Sequence, residues 1–261
     1  MSALAGRMVL VTRSREQAPA LCAAIEARGG RAVAFPTIEF QPAADPAADR
    51  AIGGLDGYDW IAFTSANAVA CFVDRMRAAG RTTLPAGVKV AAVGAATAAA
   101  LAERGLPVAA MPDTYLGSEL AGALGALVGQ RVLLPRSDIA REQTGAALRA
   151  AGAEVDEVVV YRTVPARPGP GALRVLETPV DAVTFTSPST VRGFLAAGGA
   201  AAERLLRRAA IACIGPVTGD AVRELGLPVA VQPQEHTTTA LVDALESFFA
   251  TAPVAPMVGP R

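Results

Sequence analysis

The residues of this chain that could do chemistry are hydroxyls, arginines and one conspicuous tyrosine, and most of them occur in matched pairs. Arg13 closes the apolar run VLVTR, and Arg136 closes VLLPR. Ser65 lies in FTSANAV, which begins at Phe63, and Ser187 lies in FTSPSTV, which begins at Phe185. Thr97 ends VAAVGAAT and Thr218 ends IACIGPVT, each closely following a glycine, Gly94 or Gly215. Ser, Thr and Gly ahead of a helix are most often caps for its free N–H groups. Ser187-Pro188 is well formed as a cap followed by the first helical residue. Repeated as a set, such helix N-termini also present N–H groups, dipole ends and hydroxyls that favour anions. Arg13, Arg136, Arg141 and Arg162 add planar forks suited to carboxylates. Neither G-x-x-x-x-G-K-[ST] nor G-x-G-x-x-G occurs, so a polycarboxylate fits better than a nucleotide.

Acid–base candidates are few. His236 is the single histidine, so Ser-His-Asp and Cys-His sets lack a partner, and most metal sites are excluded. A histidine alone on a turn is more often solvated than catalytic. Asp138, Asp181 and Glu235 could act as bases, although surface solvation is the commoner state of such carboxylates. Tyr161, in VVVYRT, is one of three tyrosines. It falls where the chain is predicted to cross between two lobes. A phenol there either donates a proton to a leaving group or is simply a half-buried interface tyrosine.

The elements that must position these residues repeat as well. ERGLPVA from Glu103 and ELGLPVA from Glu224 extend the matched series, which marks two units of roughly 120 residues, near ordinary domain size. Short apolar runs alternate with Ala/Leu/Arg stretches of helical period, the pattern of a parallel α/β sheet. Strands are predicted over 8–12, 31–35, 59–64, 89–93 and 108–111, with helices over 16–28, 67–79, 96–104 and 118–127. The second cycle predicts strands over 131–134, 154–160, 182–186, 210–214 and 229–231, with helices over 141–151, 190–196, 218–225 and 239–249. Each lobe is therefore expected to hold a five-stranded parallel sheet flanked by helices, with ligands beyond the carboxyl ends of the strands. Little punctuates the chain near Gly129, whereas the Pro-rich breaks QPAADP and TVPARPGP lie inside each repeat. They predict a discontinuous first lobe (1–38 plus 165–250), an inserted second lobe (39–164) and a loose tail over 251–261.

Composition narrows the partners. With 52% apolar and 18% charged residues, the chain is expected to be well packed. A net charge of zero argues against nucleic acid or an anionic membrane as the main partner. Lys89 is the only lysine, and a base-composition bias explains that more simply than function does. Cys22, Cys71 and Cys213 have unrelated spacings and read as reduced thiols of a cytoplasmic protein. No apolar run approaches the roughly 18 residues that span a bilayer, and the N-terminus lacks a secretory layout.

In this order the motifs resemble the uroporphyrinogen-III synthase family across nearly the whole chain: VLVTR, FTSANAV, VAAVGAATAAAL, VLLPRSDIAR, GAEVDEVVVYRT, FTSPSTV and IACIGPVT. Each motif is weak alone, and the series is specific. The resemblance implies two α/β lobes joined by two linker strands, in agreement with the proline breaks. It implies a lyase of tetrapyrrole (haem) biosynthesis that closes hydroxymethylbilane into uroporphyrinogen III, with loss of water and inversion of the terminal pyrrole ring. The substrate would be a linear tetrapyrrole polycarboxylate held between the lobes by backbone N–H groups and hydroxyls. The resemblance further implies no cofactor, no metal, and no nucleic-acid or membrane partner, in a cytoplasmic monomer. Tyr161 matches the family's implicated tyrosine, Thr97 and Thr218 its cleft threonines, Ser65 and Ser187 its cleft serines, and Arg13 its arginine after the first strand. Arg136 is the repeat counterpart of Arg13. Ser14 departs from the proline that many members carry, which leaves the start of the next helix less defined. The implied chemistry passes through an azafulvene cation and a spiro intermediate, so the protein mainly positions the chain. The alternative is a two-lobe module that binds a small anion without catalysis.

Overall fold

A computed structural model describes residues 2–113, 117–140 and 142–251, with only the backbone at Pro170. The expected tail lies outside these residues, except for Thr251. The chain opens with β1 (Met8–Val11), α1 (Ala18–Glu26) and β2 (Arg31–Ala34), then enters β3 (Ile38–Pro42). There follow α2 (Pro46–Gly53), β4 (Trp60–Phe63), α3 (Ala66–Ala78), β5 (Lys89–Ala92), α4 (Ala95–Ala102), α5 (Leu120–Leu124), β6 (Arg131–Ser137) and α6 (Gln143–Ala150). The long strand β7 (Glu154–Pro165) leads to α7 (Pro170–Leu173), β8 (Ala182–Phe185), α8 (Pro188–Leu206), β9 (Ala210–Cys213), α9 (Pro216–Arg223) and α10 (Thr238–Thr251). The described residues form two compact units, one within Met1–Glu39 and Val164–Arg261 and the other within Phe40–Thr163. The chain changes unit inside β3 and again near the end of β7.

In the first unit the sheet order is β2-β1-β8-β9, and every pair is parallel. Alternation along β1 sends Leu10 into one core, with Phe35, Val183, Phe185, Phe194 and Ile211. Val9 and Val11 enter another, with Leu21, Ile25, Leu241 and Leu245. A parallel sheet covered on both faces needs such continuous apolar strands. The expectation of five strands here is corrected to four. Residues 229–231 make only an isolated bridge, Val231 to Ala212, because Pro228 and Pro233 flank the stretch and cannot donate to a ladder.

The second unit carries five strands in the order β3-β7-β6-β4-β5. The fifth place is not the expected stretch 108–111, which gives only the bridge Ala91 to Ala110. It belongs to β3, an edge strand that ends at Pro42, where the missing donor costs least. The break QPAADP is thus only partly loop. Asp45 caps α2 by accepting the Ala47 N–H at 2.9 Å, with Pro46 as the first helical residue. The other Asp45 oxygen accepts the Val159 N–H at 2.9 Å, which ties α2 to β7. Helix α8 runs well past its expected end at 196, because Gly199, at φ +50°, turns the chain between two helical stretches.

A buried threonine lattice fixes the strand ends of the first unit. Thr12 Oγ1 donates to the Thr184 carbonyl at 2.6 Å, and Thr184 Oγ1 donates to the Leu10 carbonyl at 3.1 Å. Thr37 Oγ1 reaches the carbonyls of Thr12 and Thr190, at 2.9 and 3.2 Å. The Thr37 carbonyl accepts the Ala166 N–H at 3.0 Å. Helix α8 approaches this corner through Gly193, where a Cβ would stand 2.4 Å from the Thr37 carbonyl oxygen. Backbone cannot swing aside as a flexible side chain would. Gly193→Ala is therefore expected to destabilise the fold by about 1–3 kcal/mol, despite a helix-propensity gain of about 1 kcal/mol. A lower urea midpoint at constant m-value is the readout; an unchanged midpoint would show that the corner yields.

Candidate functional site

The expected site residues of the second unit follow strands of one sheet at the same edge. Ser65 follows β4, Thr97 opens α4 after β5, Arg136 is near the end of β6, and Tyr161 lies in β7 opposite Ser137. Two of them meet. Ser65 Oγ caps α3 by accepting the Ala68 N–H at 3.1 Å, and it stands 3.2 Å from the Tyr161 hydroxyl. The tyrosine ring is only 6% exposed and packs edge-on against Phe40, with centroids 5.5 Å apart. With one Ser65 lone pair occupied by the helix N–H, its O–H can donate to the phenol oxygen. That arrangement sets the positive end of α3 behind any charge on the phenol. Thr97 is buried, and its N–H donates to the Gly94 carbonyl at 3.0 Å.

Arg136 does not stand open at the strand end. Its guanidinium pairs with Glu157 and donates to the Ala140 carbonyl. Arg149 holds the other Glu157 oxygen at 2.7 Å. Burial opposes the charged Glu157, but the hydrogen bonds from Arg149 and Arg136 outweigh it and keep the carboxyl below its ordinary value. Arg162 is exposed on β7, and Arg141 lies outside the described residues. Of the carboxylates considered as bases, Asp138 accepts the Thr163 N–H at 3.0 Å. Asp181 pairs with Arg7 and accepts the Met8 N–H, both at 2.8 Å. Glu235 is exposed.

In the first unit, Arg13, Ser187 and Thr218 follow the neighbouring strands β1, β8 and β9 at the carboxyl edge of their sheet. Ser187 closes a capping box with Thr190, its Oγ accepting the Thr190 N–H and its N–H meeting Thr190 Oγ1, both at 3.3 Å. Arg13 donates to Gln17 Oε1 at 3.1 Å, while its Nε is buried without a hydrogen-bond partner. Burial pulls this guanidinium down from its ordinary value. The next residue, Ser14, is fully buried, and its Oγ also lacks a partner. Unsatisfied buried donors are uncommon in folded proteins and mark places where a ligand can complete the bonding. Ser14 stood in the sequence only as a departure from a proline, so nothing singled out its hydroxyl.

Thr218 is buried in the first turn of α9. A Cβ on Gly215 would come within 2.9 Å of the His236 ring. This glycine therefore leaves room for the ring of the single histidine. His236 is exposed beside that helix start, a placement that distance along the chain concealed. Among the described residues no group of His, Cys, Asp or Glu is placed to hold a metal ion. No described helix is long and apolar enough to cross a membrane. A cavity of about 580 Å³ in the second unit, lined by Leu84, Val88, Leu106 and Val108 among others, contains none of these site residues.

A family model described as uroporphyrinogen-III synthase HemD matches residues 19–243. The chain is similar to the uroporphyrinogen-III synthase of Synechococcus elongatus, 32% identical across 94% of this chain and 96% of that protein. It is also similar to the chloroplastic uroporphyrinogen-III synthase of Oryza sativa, 32% identical across 92% of this chain and 79% of that protein. Among solved structures, a mutant uroporphyrinogen III synthase of Thermus thermophilus matches with a TM-score of 0.63 at 23% identity, covering 95% of this chain and all of that one. The uroporphyrinogen-III synthetase of Helicobacter pylori gives 0.65 at 19%, covering 92% and 99%. At those identities the two structures bear on fold alone.

The Arg136–Glu157–Arg149 cluster has a pH signature. A carboxyl held below its unfolded value contributes stability above the ordinary value of 4.5, and loses it as pH falls through the lower folded value. Glu157→Gln should lower stability at neutral pH by about 1–3 kcal/mol and flatten the loss of stability on acidification. Urea melts between pH 3 and 7 read both effects, and parallel pH curves for the two proteins would contradict the assignment.

Proposed function

This chain belongs to the uroporphyrinogen-III synthase family, and from that premise we propose that it closes hydroxymethylbilane into uroporphyrinogen III. The reaction releases water and inverts the terminal pyrrole ring. The observation that carries the residue assignment is the contact between the Ser65 and Tyr161 hydroxyls. In this reading Tyr161 donates its proton to the departing hydroxyl of the substrate, so water leaves and an azafulvene cation forms. Ser65 O–H then donates to the phenolate oxygen, with the α3 N-terminus behind it. The cation is attacked by the substituted carbon of the terminal ring, and the spiro product fragments and recloses with that ring inverted. The proton lost as the last ring regains aromaticity restores the phenol, so one water is the net loss.

A single phenol donor suits a leaving group expelled by an electron-rich pyrrole. Most of the catalytic work then falls to positioning. Arg13, with Ser14 beside it, supplies unspent donors for substrate carboxylates in the first unit, and the N-termini of α8 and α9, near Ser187 and Thr218, add N–H groups. Thr97 and the start of α4 do the same in the second. Arg136 is assigned to holding the end of β6, since Glu157 already occupies it. The three free thiols, two half-buried and one buried, fit a reducing compartment such as the cytoplasm.

Incubation of the protein with hydroxymethylbilane, followed by separation of the macrocycle isomers, is the direct test. Accumulation of the rearranged isomer is expected, and an isomer ratio unmoved by added protein would end this reading. Tyr161→Phe should lower turnover by about 10–100-fold, a modest general-acid effect, with an unchanged melting temperature. Full turnover in that variant would remove the donor role.

A further inference from the structure

We propose that Asp138 is a positioning residue that holds the backbone of Tyr161 so that its phenol meets Ser65. The inference rests on the assignment of Tyr161 above. The pairing of β6 with β7 slips by one residue at their carboxyl ends: Arg136 faces Val159, whereas Ser137 faces Tyr161, which leaves Val160 unpaired in the ladder. Successive strand residues normally point to opposite faces. Here Val160 and Tyr161 both enter the same core, at 1% and 6% exposure. A bulge of this kind re-aims a side chain and is common beside active sites. It turns Tyr161 toward the α3 cap.

Such a bulge must be pinned, because the ladder between β6 and β7 ends at Ser137 and Tyr161. Asp138 supplies the missing rung. Its N–H donates to the Tyr161 carbonyl at 3.2 Å, and its carboxylate accepts the Thr163 N–H at 3.0 Å. The backbone is therefore clasped at Tyr161 and again two residues beyond it. On the other side, the Val160 carbonyl accepts the Ala43 N–H at 3.1 Å. The turn that carries Asp138 is fixed in its own right. The Ala140 N–H donates to the Ser137 carbonyl, and Arg136, anchored by Glu157, donates to the Ala140 carbonyl. Asp138 itself is exposed and one of its carboxylate oxygens holds backbone, so its assigned part is to act through Tyr161.

The test is a double-mutant cycle between Asp138→Ala and Tyr161→Phe, with hydroxymethylbilane as substrate and kcat, KM and isomer ratio as readouts. Asp138→Ala should lower kcat about fivefold, the equivalent of one ordinary hydrogen bond, with little change in KM. Asp138→Asn keeps an acceptor oxygen and should restore most of the rate. In the Tyr161→Phe background, Asp138→Ala should cost less than about twofold, because coupled residues are not additive. Thr163→Pro removes the same bond from the donor side and should show the same dependence on Tyr161, which keeps the test decisive if Asp138→Ala does not fold. Equal fold losses in both backgrounds, or an effect on KM alone, would overturn the positioning role while leaving Tyr161 in place. A fully active Tyr161→Phe would instead remove the assignment on which it rests.

Discussion

Parallel pairing is the constraint on which the arrangement depends. The pairs β1-β2, β1-β8 and β8-β9 in one sheet, and β4-β5, β4-β6 and β6-β7 in the other, all run parallel. Parallel neighbours cannot be joined by a hairpin, so helices connect most of them and cover the sheet faces. Both faces are then apolar, and polar side chains are left to the strand ends. The carboxyl ends of these parallel strands also fall on one edge of each sheet, where helices begin with unsatisfied N–H groups. Donors gather on that edge as a consequence of sheet direction, before any particular residue is chosen.

The arginines separate by what already holds them. Arg75 donates to the carbonyls of Ala43 and Asp45 and pairs with Asp49, which locks α2 against α3. Arg131 binds Asp156 at 2.9 Å and the Gly57 carbonyl at 3.3 Å. Arg208 reaches the carbonyls of Leu176 and Thr178. These forks are engaged by partners within the fold, as that of Arg136 is. Arg13 differs because it is half-buried at a strand end with its buried Nε unsatisfied. A buried donor left unpaired on a cation is costly in the free protein, and an anionic ligand would offset that cost. An arginine-rich composition therefore carries little functional information until each guanidinium is matched with its partners.

Much of the fold was legible because buried strands in such sheets are largely apolar runs, as in β1, β4, β8 and β9, with threonine, serine or glycine at the exit. Edge elements were less legible. The stretches 108–111 and 229–231 read like strands from their valines, yet each has one neighbour and proline nearby, so only a single bridge forms. β3 was hidden because Pro42, at its end, read as loop, although an edge strand tolerates it. β7 was expected to stop at 160, since a bulge breaks the alternation on which a strand is recognised, and that obscured how Tyr161 is aimed. The partners of Arg136 and Gly215, Glu157 and His236, are set by tertiary packing that spacing does not encode. Strand-end residues were thus identifiable as a set, while the division between structural and free members was not.

The two serine caps show how a repeated motif can take different duties. In FTSPSTV the third residue of the helix is Thr190, whose hydroxyl returns the bond to the Ser187 N–H and closes the box. Ser187 Oγ is further engaged by Ser189 Oγ at 2.8 Å. In FTSANAV the corresponding residue is Ala68, which offers a backbone N–H but no side-chain acceptor. The Ser65 hydroxyl accepts the Ala68 N–H as the Ser187 hydroxyl accepts that of Thr190, and its further contact is the phenol of Tyr161. A capping box contributes about 1 kcal/mol or so to its helix, and the second unit forgoes part of that. The two serines on matching strand exits thus hold the same cap N–H and differ in what their hydroxyls meet beyond it, Ser189 in one copy and Tyr161 in the other.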